Sequence, residues 1–61
     1  MPDPTTRRRA AALADIADAL SAARCATRLA GLQTTDFVVR ELLLAVIEQL
    51  DRAVAVARRL V

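Results

Sequence analysis

The sequence predicts an all-α protein: two long helices folded into an antiparallel hairpin that dimerises, most simply as a four-helix bundle. Three observations carry this expectation. The chain has 61 residues and 56% of them are hydrophobic, yet Phe37 is its only aromatic, so Ala, Leu and Val supply most of the apolar content. These are helix-packing residues more than sheet residues. Gly31 is the only glycine and divides two segments of helical periodicity. The second segment carries a heptad pattern, and a domain this small needs a staple beyond its own core.

The elements follow in order. Residues 1–6 hold both prolines and two threonines and read as a flexible tail leading into a helix start, with Asp3 before Pro4 as the cap and Thr5 or Thr6 as alternatives. The hairpin domain is expected over 7–61, with the first helix at about 5–30, a turn at 31–35 and the second helix at about 36–60. Gly31 suits the left-handed position that closes a helix. Thr34 or Thr35 is expected to cap the second helix, and Asp36 in its first turn complements the positive end of the dipole, as Arg58 and Arg59 complement the negative end.

Along the second helix Val39, Leu43, Val46, Leu50, Ala53, Ala57 and Leu60 alternate spacings of four and three. This is a heptad seam. Leu42, Ile47, Val54 and Val61 flank it, which makes the apolar face wider than one neighbouring helix covers. The first helix offers Leu13, Ile16, Leu20, Ala23, Thr27 and Ala30 as the matching stripe. The expected oligomer interface therefore comprises Leu13, Ile16 and Leu20 with Val39, Leu43, Val46, Leu50, Ala53, Ala57 and Leu60. A homodimer or higher oligomer would bury both seams.

Several functions are excluded or disfavoured by residue type. The longest strongly apolar run, Leu42 to Ile47, is closed by Glu41 and Glu48 and falls far short of the roughly 20 residues a membrane span requires. Arg7, Arg8 and Arg9 followed by Ala10 to Leu13 resemble the start of an export signal, but Asp15 and Asp18 interrupt it. A cytoplasmic protein is expected. All nine basic residues are arginine, a skew typical of a high-GC bacterial genome. With no His, Tyr, Trp or Lys, nucleophilic catalysis has no base except a carboxylate, so no enzyme is expected. Asp15 with Asp18, and Glu41 with Glu48, share helical faces, but the Glu-x-x-His pairs of di-iron bundles are missing and a solvated face is expected, without metal or cofactor.

What remains points to interaction. Leu29, Leu32 and Phe37 cluster about the turn and form a candidate docking site for a protein partner. Arg7, Arg8, Arg9, Arg24 and Arg28 give the first helix a basic side that is a candidate for nucleic-acid contact, the second-ranked reading because no aromatics for base stacking accompany it. A two-hairpin dimer is similar in architecture to the plasmid-copy-number RNA-binding four-helix bundle, a likeness of fold alone. Cys25, between Arg24 and Arg28, is expected as a small filler on the second face of the first helix, with a reactive thiol as the alternative. The sequence thus predicts a small interaction or assembly module, an adaptor or regulatory subunit.

Overall fold

The computed structural model describes residues 3–60. Met1 and Pro2 of the expected tail, and Val61 beside the expected seam, lie outside the described residues. The fold is a two-helix hairpin, α1 spanning Pro4–Leu32 and α2 spanning Phe37–Leu60, joined by residues 33–36.

Asp3 is the N-cap of α1. Its backbone is extended (φ −74°, ψ 169°), and its Oδ1 accepts a hydrogen bond from the Thr6 amide at 2.7 Å. Pro4 at the first helical position has no amide to leave unpaired, and its ring fixes φ near the helical value. The helix therefore begins at Pro4, one residue before the expected start, with Thr5 and Thr6 in its first turn. A run of alanines and leucines with no internal proline then carries α1 through 29 residues.

The end of α1 departs from expectation. Gly31 lies inside the helix, and no described residue, glycine or other, has a positive φ. The helix instead tightens at its last turn, with the Gln33 amide donating to the Ala30 carbonyl at 3.1 Å. Gly31 is partly buried at the helix contact, and a Cβ placed on it would stand at an ordinary van der Waals distance from Leu43 Cδ1.

Asp36, expected within the first turn of the second helix, is its cap. Its Oδ1 accepts from the Val39 amide at 3.0 Å and its carbonyl from the Arg40 amide at 3.0 Å. Thr34 Oγ1 accepts from the Asp36 amide at 3.1 Å and so fixes the cap rather than acting as one. The physical reason is that Asp outranks Thr as a cap, while a Thr hydroxyl two residues upstream readily makes a local turn.

The contact between the helices is one seam. On α1 it runs through Ala10, Leu13, Ala17, Leu20, Arg24, Thr27 and Gly31, and on α2 through Leu43, Ile47, Leu50, Val54 and Ala57, all buried or half-buried at alternating spacings of three and four. Ala53 is half-buried beside it. Ala17 and Ala57 are the only fully buried residues among those described. The Thr27 hydroxyl is satisfied within its own helix, donating to the Ala23 carbonyl at 2.7 Å.

This seam is rotated from the expected one. Ile16, Ala23 and Ala30 of α1 and Val39, Val46 and Leu60 of α2 are exposed, while Ile47 and Val54, expected as flanks, are inside. The apolar arc of α2 is wider than one helix, and α1 covers one edge of it. The result is a single layer measuring 51 × 15 × 10 Å with a radius of gyration of 15.0 Å, against about 10 Å for a compact chain of this length.

Candidate functional site

A hairpin of two helices has two broad faces, and their residues follow from the seam. In an antiparallel pair, residues displaced in the same rotational sense from the contact fall on the same face, so each seam residue has its predecessor on one face and its successor on the other.

The successor face is polar and mixed. From α1 it takes Ala14, Asp18, Ser21, Cys25, Arg28 and Leu32, and from α2 Leu44, Glu48, Asp51, Ala55 and Arg58. Near the connection this face is hollowed into a groove of about 220 Å³ floored by Gly31, Leu32, Leu43, Leu44 and Ile47, with Arg28 and Arg40 among its walls. A second depression beside it is lined by Thr35, Phe37, Arg40, Glu41 and Leu44. Leu32 and Phe37 thus border adjoining hollows that share Arg40 and Leu44, whereas Leu29, grouped with them by sequence, lines neither. All three are exposed. Nothing in the sequence spacing singled out Arg40 and Leu44; they join the site because α2 returns antiparallel and sets its first turns beside the last turns of α1.

The predecessor face is different in kind. From α1 it takes Arg9, Ala12, Ile16, Ala19, Ala23, Ala26 and Ala30. From α2 it takes Leu42, Val46, Gln49, Ala53 and Val56, with Val39 and Leu60 at its ends. Ile16 is 50% exposed, Leu42 62% and Leu60 63%, so these side chains stand largely in solvent within the hairpin. Of the ten residues expected at an oligomer interface, Leu13, Leu20, Leu43, Leu50 and Ala57 line the contact within the hairpin, while Ile16, Val39, Val46, Leu60 and the half-buried Ala53 belong to this face.

The expected basic side of α1 is not assembled. Arg24 stands in the seam, where its Nε, screened from solvent, meets the Asp51 carboxylate as an ion pair without hydrogen-bond alignment. A long polar side chain can occupy a seam position because its stem packs while its charge finds a partner across the contact. Arg7, Arg8 and Arg9 are exposed but successive, so they fan around the helix at about 100° intervals, and Arg28 lies about 30 Å farther along the axis. Cys25 is exposed in the hairpin and does not take part in the contact between the helices. Among the described residues no group of three acidic, His or Cys side chains comes together to hold a metal, and no helix is long and apolar enough to cross a membrane.

Ala10, Ala17, Arg24 and Gly31 are the seam positions of α1 that sequence reasoning missed. The signal was present as a second three-four frame, Ala10, Leu13, Ala17, Leu20, Arg24, Thr27, Gly31, but it contains a charge and a glycine and so scores below the apolar frame beside it. Comparison with known proteins returns no matching family model, no matching curated protein and no matching solved structure.

Proposed function

We propose that the chain is a small, non-enzymatic protein-interaction or assembly module, an adaptor or regulatory subunit of the cytoplasm, that acts through homo-oligomerisation and an apolar helix face. One observation carries this reading. Eleven large hydrophobic residues are exposed among those described, while the fully buried set is two alanines. Isolated exposed aliphatics are ordinary on a protein surface, but here they outnumber the core, and Val39, Leu42, Val46, Val56 and Leu60 lie in a row along α2. Such a row is the form an interaction surface takes when a helix is read by another helix.

Light scattering tests the reading: the purified chain at micromolar concentration is expected at a multiple of its 6.6 kDa mass, with helicity that falls on dilution. A fully folded species of 6.6 kDa that stays helical at nanomolar concentration would overturn it. A protein partner would dock at the turn end, and changing Leu32 and Phe37 together to Ser is expected to weaken that association while sparing the oligomer. Nucleic-acid binding has less support, since Arg24 is committed to Asp51 and the other arginines of α1 do not converge.

A further inference from the structure

We infer that the predecessor face holds a second copy of this chain, in a two-fold dimer that lays α2 of each protomer along α1 of the other. The inference rests on the assembly reading above and specifies the occupant and geometry of its apolar face.

Area comes first. A folded monomer of 6.6 kDa exposes about 3,900 Å² by the usual scaling of surface with mass. This chain exposes 4889 Å². The excess is about 1,000 Å², and a standard interface takes about 800 Å² from each partner. The hairpin thus carries in surplus the area that one partner of a stable pair buries.

Charge then selects the face. Apart from Arg9 near the start of α1, the predecessor face has no ionisable side chain, whereas the successor face carries Asp18, Arg28, Glu48, Asp51 and Arg58. A face without charges can be buried whole, with none of the desolvation cost that stranded charges impose. It also offers nothing by which a partner of defined charge would be chosen.

Shape selects the occupant. The two rows of the face are complementary to each other: α2 presents the large side chains of Leu42 and Val46 toward one end and Val56 and Leu60 toward the other, with Gln49 and the small Ala53 between them, and α1 presents alanines relieved by Ile16 and, near its start, Arg9. A two-fold axis parallel to the helices sets the large row of each protomer on the small row of its partner, twice over, as an isologous interface requires. Every neighbouring pair in the resulting four-helix bundle is antiparallel. A perpendicular axis would instead oppose large to large and small to small, leaving a thick layer and a thin one.

Three variants test this by sedimentation equilibrium and circular dichroism across a thousandfold range of concentration. Leu42→Glu, on the predecessor face, is expected to weaken dimerisation by at least a hundredfold. Leu44→Glu, its neighbour on the successor face, is expected to change it by less than threefold. Because Leu42 is exposed within the hairpin, a loss of helicity in Leu42→Glu that is recovered at high concentration also supports the proposal, since it shows folding linked to pairing. Ala23→Trp reports the geometry: with α2 of the partner lying over Ala23, the indole has no room and dimerisation falls at least tenfold. An oligomeric parent disrupted by Leu44→Glu and not by Leu42→Glu would overturn the inference while leaving the assembly reading intact. A dimer disrupted by Leu42→Glu but indifferent to Ala23→Trp would overturn the α2-on-α1 arrangement. A parent that is a folded monomer throughout would overturn both readings.

Discussion

Gly31 and Leu43 face each other across the hairpin with room for one methyl group between them: a Cβ on Gly31 would stand 3.9 Å from Leu43 Cδ1, an ordinary van der Waals contact. Gly31 is helical and lacks a positive φ, so nothing in its backbone requires glycine. Gly31→Ala is expected to stabilise the chain by about 0.5–1 kcal/mol through reduced unfolded-state entropy and better helix propensity. Thermal melts at fixed concentration would show a rise of several degrees. A fall would mean that the helices meet more closely at Gly31 than this spacing allows.

Arg24 and Asp51 form the one ion pair among the described residues, with side chains 33% and 52% exposed. A pair that wet contributes about 0–1 kcal/mol. A double-mutant cycle with Arg24→Gln and Asp51→Asn is expected to return a coupling below about 1 kcal/mol. Leu50→Ala, in the same seam, should cost about 2 kcal/mol or more, near the low end for buried leucine because the site is only half-buried. The pair would then fix the alignment of α1 on α2 rather than supply stability, and a coupling above about 2 kcal/mol would contradict that role.

Asp3 and Asp36 cap the two helices by the same contact, an Oδ1 accepting the amide three residues on. Thr6 hydrogen bonds, from the backbone amide first and the side chain second, hold the Asp3 carboxyl below its ordinary value. A depressed folded-state value stabilises above the unfolded value, about 3.9, and that contribution is lost as pH falls through the lower folded value. The difference in melting temperature between the parent chain and Asp3→Ala is therefore expected to be constant from pH 7 to about pH 5 and to close below about pH 4. Asp36→Ala should cost about 1 kcal/mol at neutral pH.

Arg7, Arg8 and Arg9 stand near the positive end of the α1 dipole, where cations are unfavourable, and none has an ion-pair partner among the described residues. Their joint replacement by Ala is expected to leave oligomer mass unchanged and helicity equal or higher, since Ala is the better helix former. If the run binds nucleic acid, retention on heparin or RNA at low salt should vanish in the same variant. Equal retention by both proteins would remove the run from that role.

The two helices and a break between them were legible because periodicity and the Asp3 cap agree, but the break, expected at 31–35 with a threonine cap, lies at 33–36 and is capped by Asp36. The identity of the inner seam was not legible. Along α2 the apolar arc is broad enough to hold two seams, and a pattern of spacings locates the middle of that arc, near Val46 and Leu50, not the edge that α1 happens to cover. On α1 the deciding residues were Ala17, Arg24 and Gly31, whose fitness for an interface lies in small size or in a partner across the contact. Neither property registers as hydrophobicity. The docking site near the turn was half legible for a related reason: Leu32 and Phe37 are close in sequence, but Arg40 and Leu44 reach them only through the tertiary return of the chain.

The connection at 33–36 has a kinetic meaning as well as a geometric one. Gln33 returns to Ala30, Thr34 holds Asp36, and Asp36 holds Val39, so the bend is locked by hydrogen bonds that span no more than three residues each. Straightening it to exchange helices between copies would break those locks before any gain from exchange is realised. Helix-exchanged dimers, which need the bend straightened and mature over hours, should therefore be rare among the oligomers of this chain.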